Sequence, residues 1–264
     1  MRAMGSEVHG PGNASARRVG EWSGAGVVPA SSRRSPMFYW LVKYTLRPVF
    51  MLLFRPVVTG EQHIPRRGGA LLASNHLSMC DSLFLPVMTR RRVSFMAKSE
   101  YFTGRGLKGR AKAAFVRGTG LIPIDRGDAR AAAAALRTGV RVVRDGTLLA
   151  VYPEGTRSPD GRLYRGKTGV ARMAVASGVP VVPVAMVGTD RVQPIGRVRP
   201  SLARVHIRFG APLQPPPPAA DPATRQRQLR EFTECVMAAI AALSGQQRAD
   251  LDAADHKATL RVSA

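Results

Sequence analysis

The sequence predicts an α/β fold, a single domain with a mixed central sheet flanked by helices and preceded by an N-terminal amphipathic, membrane-associating helix or helix pair. Three observations lead there. From Gly60 onward, short apolar runs of four to seven residues alternate with helical stretches. Glycine or a polar turn closes most of these runs. Apolar residues make up 45% of the 264, enough for one large core and too many for a disordered chain.

Taken in order, residues 1–36 are rich in Gly, Ser, Ala and Arg without apolar period and read as a disordered leader. They lack the early apolar run of a secretory signal. In residues 38–54, at about 100° per residue, Phe38, Leu41, Val42, Thr45, Leu46, Val49, Leu52 and Leu53 gather on one side. Lys43 and Arg47 fall opposite, and Pro48 is expected to bend or split the helix. Each cation would cost roughly 2.5–3.5 kcal/mol at a bilayer centre, so an interfacial helix fits better than a span. An amphipathic helix packed on the domain's own core is the other reading of the same pattern.

Ala70–Ala73 and Val93–Met96 read as buried strands, and Leu121–Ile124 as a short one. Asp128–Arg144 is an alanine-rich helix with Asp128 as its N-cap and Gly146 after its end. Leu148–Tyr152, Val181–Val187 and Arg204–Phe209 are further strands, with a helix over Lys167–Ser177 between the first two. The run Pro215–Pro218 breaks structure before a last helix at about Asp221–Ser244, and a polar, frayed tail follows Gly245. The expected division is therefore a leader (1–36), an interfacial helical segment (37–58), a core (59–214), and a C-terminal part (215–264) with the proline run, a helix and a flexible tail.

The formal net charge is +23, with nine basic residues between Arg90 and Arg117 opposed only by Glu100. Such a surface calls for an anionic partner. Aromatics in that run are few and do not recur at a stacking spacing, so nucleic acid fits poorly and an anionic membrane surface fits better. Cys80 and Cys235 are too few for a disulfide framework or a four-thiolate metal site, which implies a reducing compartment.

Chemistry concentrates at strand ends. In Ala73-Ser-Asn-His-Leu-Ser-Met-Cys-Asp81, His76 and Asp81 would diverge by about 140° on one continuous helix. If instead His76 lies in the turn after the strand and Asp81 in the first helical turn, the carboxylate reaches back to one ring nitrogen. The other nitrogen is then left as a general base. This is the triad arrangement without a protein nucleophile, so the hydroxyl to be deprotonated belongs to a substrate. The bland alternative is that Asn75 and His76 cap a helix. After the strand at Leu148–Tyr152, Glu154, Gly155, Thr156 and Arg157 offer close backbone approach, a hydroxyl and a planar fork suited to phosphate. Lys167 and Thr168 at the next helix start would add donors.

Together these segments resemble the glycerolipid acyltransferase family, which includes the 1-acylglycerol-3-phosphate acyltransferases. The family's NHxSxxD pattern is matched by Asn75, His76, Ser78 and Asp81, and its Pro-Glu-Gly-Thr-Arg-Ser run by Pro153–Ser158. A glycine-led stretch ending in Asp-Arg is matched by Gly120–Arg126, and a Val-Pro-rich stretch by Val179–Val184. The resemblance covers roughly Gly60 to Gly210. It implies that His76 is the base and Asp81 its orienting partner. It implies further that Arg126, Glu154, Gly155, Thr156 and Arg157 hold a glycerol phosphate, with Lys98 as an added contact and Asn75, Ser78, Lys167 and Thr168 in support.

The implied reaction moves a fatty acyl group from an acyl-CoA or acyl carrier protein thioester to the free hydroxyl of 1-acylglycerol-3-phosphate, a lysophospholipid, giving phosphatidate, with no metal or other cofactor. The implied location is peripheral, on the cytoplasmic face of the cell membrane. Two alternatives keep their place: the same chemistry on another lysolipid or lipid-linked acceptor, and a non-catalytic basic module. Cys80 reads as a core filler, and His9, His63, His206 and His256 as structural or solvated.

Overall fold

The computed structural model describes residues 36–98, 106, 109–110, 121–124, 129–197 and 199–262. The expected leader (but for Pro36), the Asp128 cap, Arg126 and most of the 90–117 basic run beyond Lys98 lie outside the described residues.

Seven strands form one mixed sheet: β1 (Val57–Thr59), β2 (Ala70–Ser74), β3 (Val93–Lys98), β4 (Ile122–Ile124), β5 (Leu148–Val151), β6 (Val181–Val187) and β7 (His206–Phe209). Their order is β1-β7-β6-β2-β5-β3-β4. Every neighbouring pair is parallel except β6–β7, which is antiparallel. Parallel strands need crossover connections, and helices supply them. α2 (Asp81–Met88), α3 (Ala129–Arg144) and α4 (Gly169–Ser177) lie between parallel strands; α1 (Pro36–Phe54) precedes the sheet, the short α5 (Thr189–Val192) lies between antiparallel β6 and β7, and α6 (Pro222–Ser244) and α7 (Ala253–Val262) follow the last strand.

Helices on both sides bury both faces of β2, which is why it reads as an unbroken apolar run. Ala70 and Leu72 face a cluster with Phe54, Phe84, Leu85 and Phe95, while Leu71 and Ala73 face Met173, Val236, Met237 and Ile240. The period of two sorts consecutive residues into two cores. Both β2 and β5 are central, and their register pairs Ala73 with Val151. The chain segments that leave these two strands therefore emerge side by side.

α1 departs from the expectation in its length and in holding Lys43 inside. It runs unbroken through Pro48 and stops at Phe54, where Arg55 takes a left-handed φ of 43° before Pro56. Residues 57–58 belong to β1 rather than to the helical segment. Lys43 points inward, 3% exposed, and donates to the carbonyls of Thr89, Arg90 and Arg91. These lie at the C-terminal end of α2, where unpaired carbonyls and the helix dipole attract a cation. Burial pulls the ammonium down to about 8. Phe54 packs beside Lys43's face of the helix and meets Phe84 edge-on at 5.2 Å, with Phe50 at 4.7 Å from the same ring. The opposite side carries Leu41, Tyr44, Val49, Met51 and Leu52, all exposed. The apolar stripe seen in the sequence thus splits: a charge locks the helix to the domain, and much of its apolar surface faces outward.

The C-terminal part is continuous with the core. Asp221 caps α6 by accepting Thr224 N–H at 2.7 Å, and Phe232, Val236, Met237 and Ile240 are buried. The segment after Gly245 is docked rather than frayed. Leu163 N–H donates to Gln247 O and Arg165 N–H to Leu251 O, and Ala249 and Ala253 pack on Tyr164. Tyr164 offers a buried aromatic surface that a polar composition does not reveal.

Phe84 is 1% exposed and carries the aromatic contact between α2 and α1. Phe84→Ala is expected to cost about 3–5 kcal/mol in denaturant unfolding. Amide exchange should rise in α1 more than in α6.

Candidate active site

β2 ends at Ser74, and the next six residues form a turn into α2, whose first residue is Asp81. Asp81 has no exposed side-chain surface. Its Oδ2 accepts N–H from Leu77 and from Ser78, each at 2.8 Å, and pairs with His76 Nδ1 at 2.9 Å. A carboxylate that accepts only can take the ring nitrogen solely as an N–H donor, so the neutral imidazole carries its proton on Nδ1 and leaves Nε2 bare. The imidazole side chain is 16% exposed and so retains an opening to solvent.

A second wall comes from the segment after β5. Tyr152 stacks on His76 with ring centroids 3.8 Å apart and planes 8° from parallel. Its hydroxyl shares a hydrogen bond of 2.9 Å with Ser82. Gly155 then takes φ +74°, a left-handed conformation that favours glycine, and its N–H donates to Tyr152 O. Ser158 N–H closes the loop onto His76 O at 2.7 Å. Thr156 and Arg157, both half-buried, are therefore tethered next to His76.

The Glu154 carboxylate lies inside rather than on the open side. It is 1% exposed and accepts the N–H of His76 at 3.2 Å and of Tyr164 at 2.9 Å. Burial pushes it up to about 7 despite those two bonds, and the charges of Asp81 and Asp160 push the same way. Its work in this geometry is to join the two loops.

Asn75 and Ser78 are also internal. Asn75 donates to Met186 O and Gln246 Oε1 and accepts Met186 N–H, fixing the end of β2 to β6. Ser78 donates to Gln193 O. Cys80 is buried and its thiol donates to Gln193 Oε1 at 3.2 Å. Lys167 is exposed, its N–H donates to Pro153 O, and its stem runs beside Gly155. Thr168 caps α4 without a side-chain bond. Lys98 ends β3 opposite Ile124, and its side chain lies outside the described residues. Arg126 lies outside them altogether.

Three contributors escape sequence reasoning: Tyr152, Gln193 and Gln246. Tyr152 stands directly before Pro153, so its place beside the motif was visible but its stacking was not. Gln246 is 171 residues from Asn75 and donates to Gly161 O as well, a link that no local pattern encodes.

A family model described as Acyltransferase matches residues 55–187. The chain is 32% identical over 140 residues to the chloroplastic 1-acyl-sn-glycerol-3-phosphate acyltransferase of Arabidopsis thaliana, covering 53% of this chain and 38% of the relative. It is 34% identical over 157 residues to the 1-acyl-sn-glycerol-3-phosphate acyltransferase of Limnanthes alba, covering 59% and 53%. The chain thus spans about half or less of the length of these relatives. Among solved structures, the 1-acyl-sn-glycerophosphate acyltransferase of Thermotoga maritima matches with a TM-score of 0.60 and 28% identity, over 75% of this chain and 76% of that one.

Glu154 also marks a pH signature. Its folded value is raised, so between its ordinary 4.5 and about 7 the folded state binds more protons than the unfolded. Stability from this group is full below pH 4.5 and falls by roughly 3 kcal/mol as pH rises to 7. Thermal unfolding of Glu154→Gln across that range should lack this component.

Proposed function

The chain belongs to the Acyltransferase family, and on that premise we propose that it transfers a fatty acyl group from an acyl thioester to the free hydroxyl of 1-acylglycerol-3-phosphate, forming phosphatidate. The observation that carries the reading is the bond between His76 Nδ1 and Asp81 Oδ2 at 2.9 Å, which leaves Nε2 as an unprotonated base.

In the proposed step, Nε2 takes the proton of the acceptor hydroxyl as its oxygen attacks the thioester carbonyl. The new ester C–O bond forms, the C–S bond breaks, and the departing thiolate takes the proton back from Nε2. Asp81 stays ionised and stabilises the imidazolium between the two transfers. The protein supplies no covalent nucleophile, which agrees with a buried Cys80 whose thiol is pushed up by burial and turned toward Gln193.

Arg157 and Thr156, tethered beside His76 through Ser158, support a phosphate-bearing acceptor, since a guanidinium fork matches phosphate geometry. Lys167, at the start of α4, adds a second cation on the same loop. The donor is acyl-CoA or acyl carrier protein. No metal or other cofactor has a part in this step.

α1 supports a peripheral, monotopic place at a membrane surface; the face proposed is the cytoplasmic one of the cell membrane. Among the described residues it is the one helix long and apolar enough to cross a bilayer. Lys43 ties it along the domain, while Leu41, Tyr44 and Leu52 point away. A helix held this way lies in an interface with its apolar side in the lipid.

Purified protein given an acyl thioester and 1-acylglycerol-3-phosphate is expected to release thiol only when both are present. His76→Ala should lower turnover by at least about 10²-fold. Arg157→Ala should raise the acceptor KM about tenfold while sparing the donor KM. Full turnover by His76→Ala would overturn the mechanism, and an unchanged acceptor KM in Arg157→Ala would remove the phosphate role.

A further inference from the structure

Asp81 fixes only one atom of the His76 ring. A single hydrogen bond at Nδ1 leaves the imidazole free to rock about that bond, which swings Nε2 through an arc. The parallel ring of Tyr152, 3.8 Å away, removes this freedom. Tyr152 is itself held on two sides: its hydroxyl bonds Ser82, and Phe95 lies behind it at 5.8 Å and 30°. Ser82 follows Asp81 on the first turn of α2. One helical turn therefore holds the imidazole twice, directly through Asp81 and indirectly through Ser82 and Tyr152.

The stacking geometry adds an energetic argument. Two neutral aromatic rings prefer offset or edge-to-face contact, because face-to-face quadrupoles repel. A cation over an aromatic face is attracted instead. A close, parallel pair of His76 and Tyr152 thus gains stability when the imidazole becomes imidazolium, the charge state formed during proton transfer. An interaction that strengthens along the reaction raises kcat rather than substrate affinity. Burial, reinforced by the Asp81 charge, pushes the Tyr152 hydroxyl well above its ordinary value, so the ring opposing His76 stays neutral.

We propose that Tyr152 is a positioning residue for the proton transfer, its stacked ring fixing the plane of His76 and favouring the imidazolium. The proposal deepens the reading of His76 as base and rests on it. Among the described residues, the titratable groups in contact with His76 are Asp81 on α2, with Tyr152 and Glu154 on the segment after β5. Glu154 touches the backbone N–H and not the ring.

The experiment compares Tyr152→Leu, Tyr152→Phe and the unaltered protein in two readouts. Steady-state kinetics with an acyl-CoA and 1-acylglycerol-3-phosphate, across pH, should show kcat about tenfold lower in Tyr152→Leu with both KM values unchanged. The acidic limb of kcat/KM should move about half to one unit lower, because a less stabilised imidazolium loses its proton more readily. Tyr152→Phe keeps the stack and should restore the limb to within about 0.2 unit. The second readout is an NMR titration of His76 with no substrate present, in which Tyr152→Leu should lower the imidazole pKa by the same amount.

An unmoved His76 titration in folded Tyr152→Leu overturns the proposal. So does a raised acceptor KM at constant kcat, which would make Tyr152 part of the acceptor site. Equal displacement in Tyr152→Phe and Tyr152→Leu overturns it too, by assigning the effect to the hydroxyl. Should the unaltered protein show no turnover, the proposed function fails while the titration still tests the stack.

Discussion

Oδ2 of Asp81 accepts three hydrogen bonds, from the Leu77 and Ser78 amides and from the His76 ring. The carboxylate has no solvent contact. A buried charge of this kind is tolerated only when donors replace the lost water, and here three donors converge on one oxygen. Two of them are backbone amides of the same short turn, so the charge organises the loop that presents His76. Loop shape, ring tautomer and the direction of Nε2 then follow from one group.

The surrounding structure keeps that turn in place. Parallel pairing of β2 with β5 brings the His76 turn beside the Tyr152–Ser158 loop, and Glu154 on that loop joins the two by accepting the His76 amide while also holding the Tyr164 amide. Asn75 fastens the same turn to β6 and reaches Gln246 beyond α6. Residues from four distant parts of the chain thus meet within two residues of His76. Such convergence at the carboxyl ends of parallel strands is the usual place for a site in an open α/β sheet.

Much of this was legible in the sequence, for physical reasons. β6 was found over its whole length because a strand buried on both faces is a continuous apolar run. The His76 and Asp81 arrangement was legible because helical geometry forbids the pair on a single helix and permits it across a strand-to-helix turn. What escaped depends on contacts between distant residues. β1 is a three-residue edge strand with no periodicity to read. The burial of Lys43 was not legible, because amphipathicity cannot say that carbonyls at the end of α2 would draw it in. Gln246 and α7 were missed because Tyr164 and Asn75, their partners, lie far back in the chain.

The most direct test of the account is the protonation pattern of one ring. ¹⁵N NMR of His76 in its neutral form, on the full chain without substrate, is expected to show Nδ1 protonated and Nε2 bare. A neutral ring carrying its proton on Nε2 would contradict it, since no base would then face the acceptor hydroxyl.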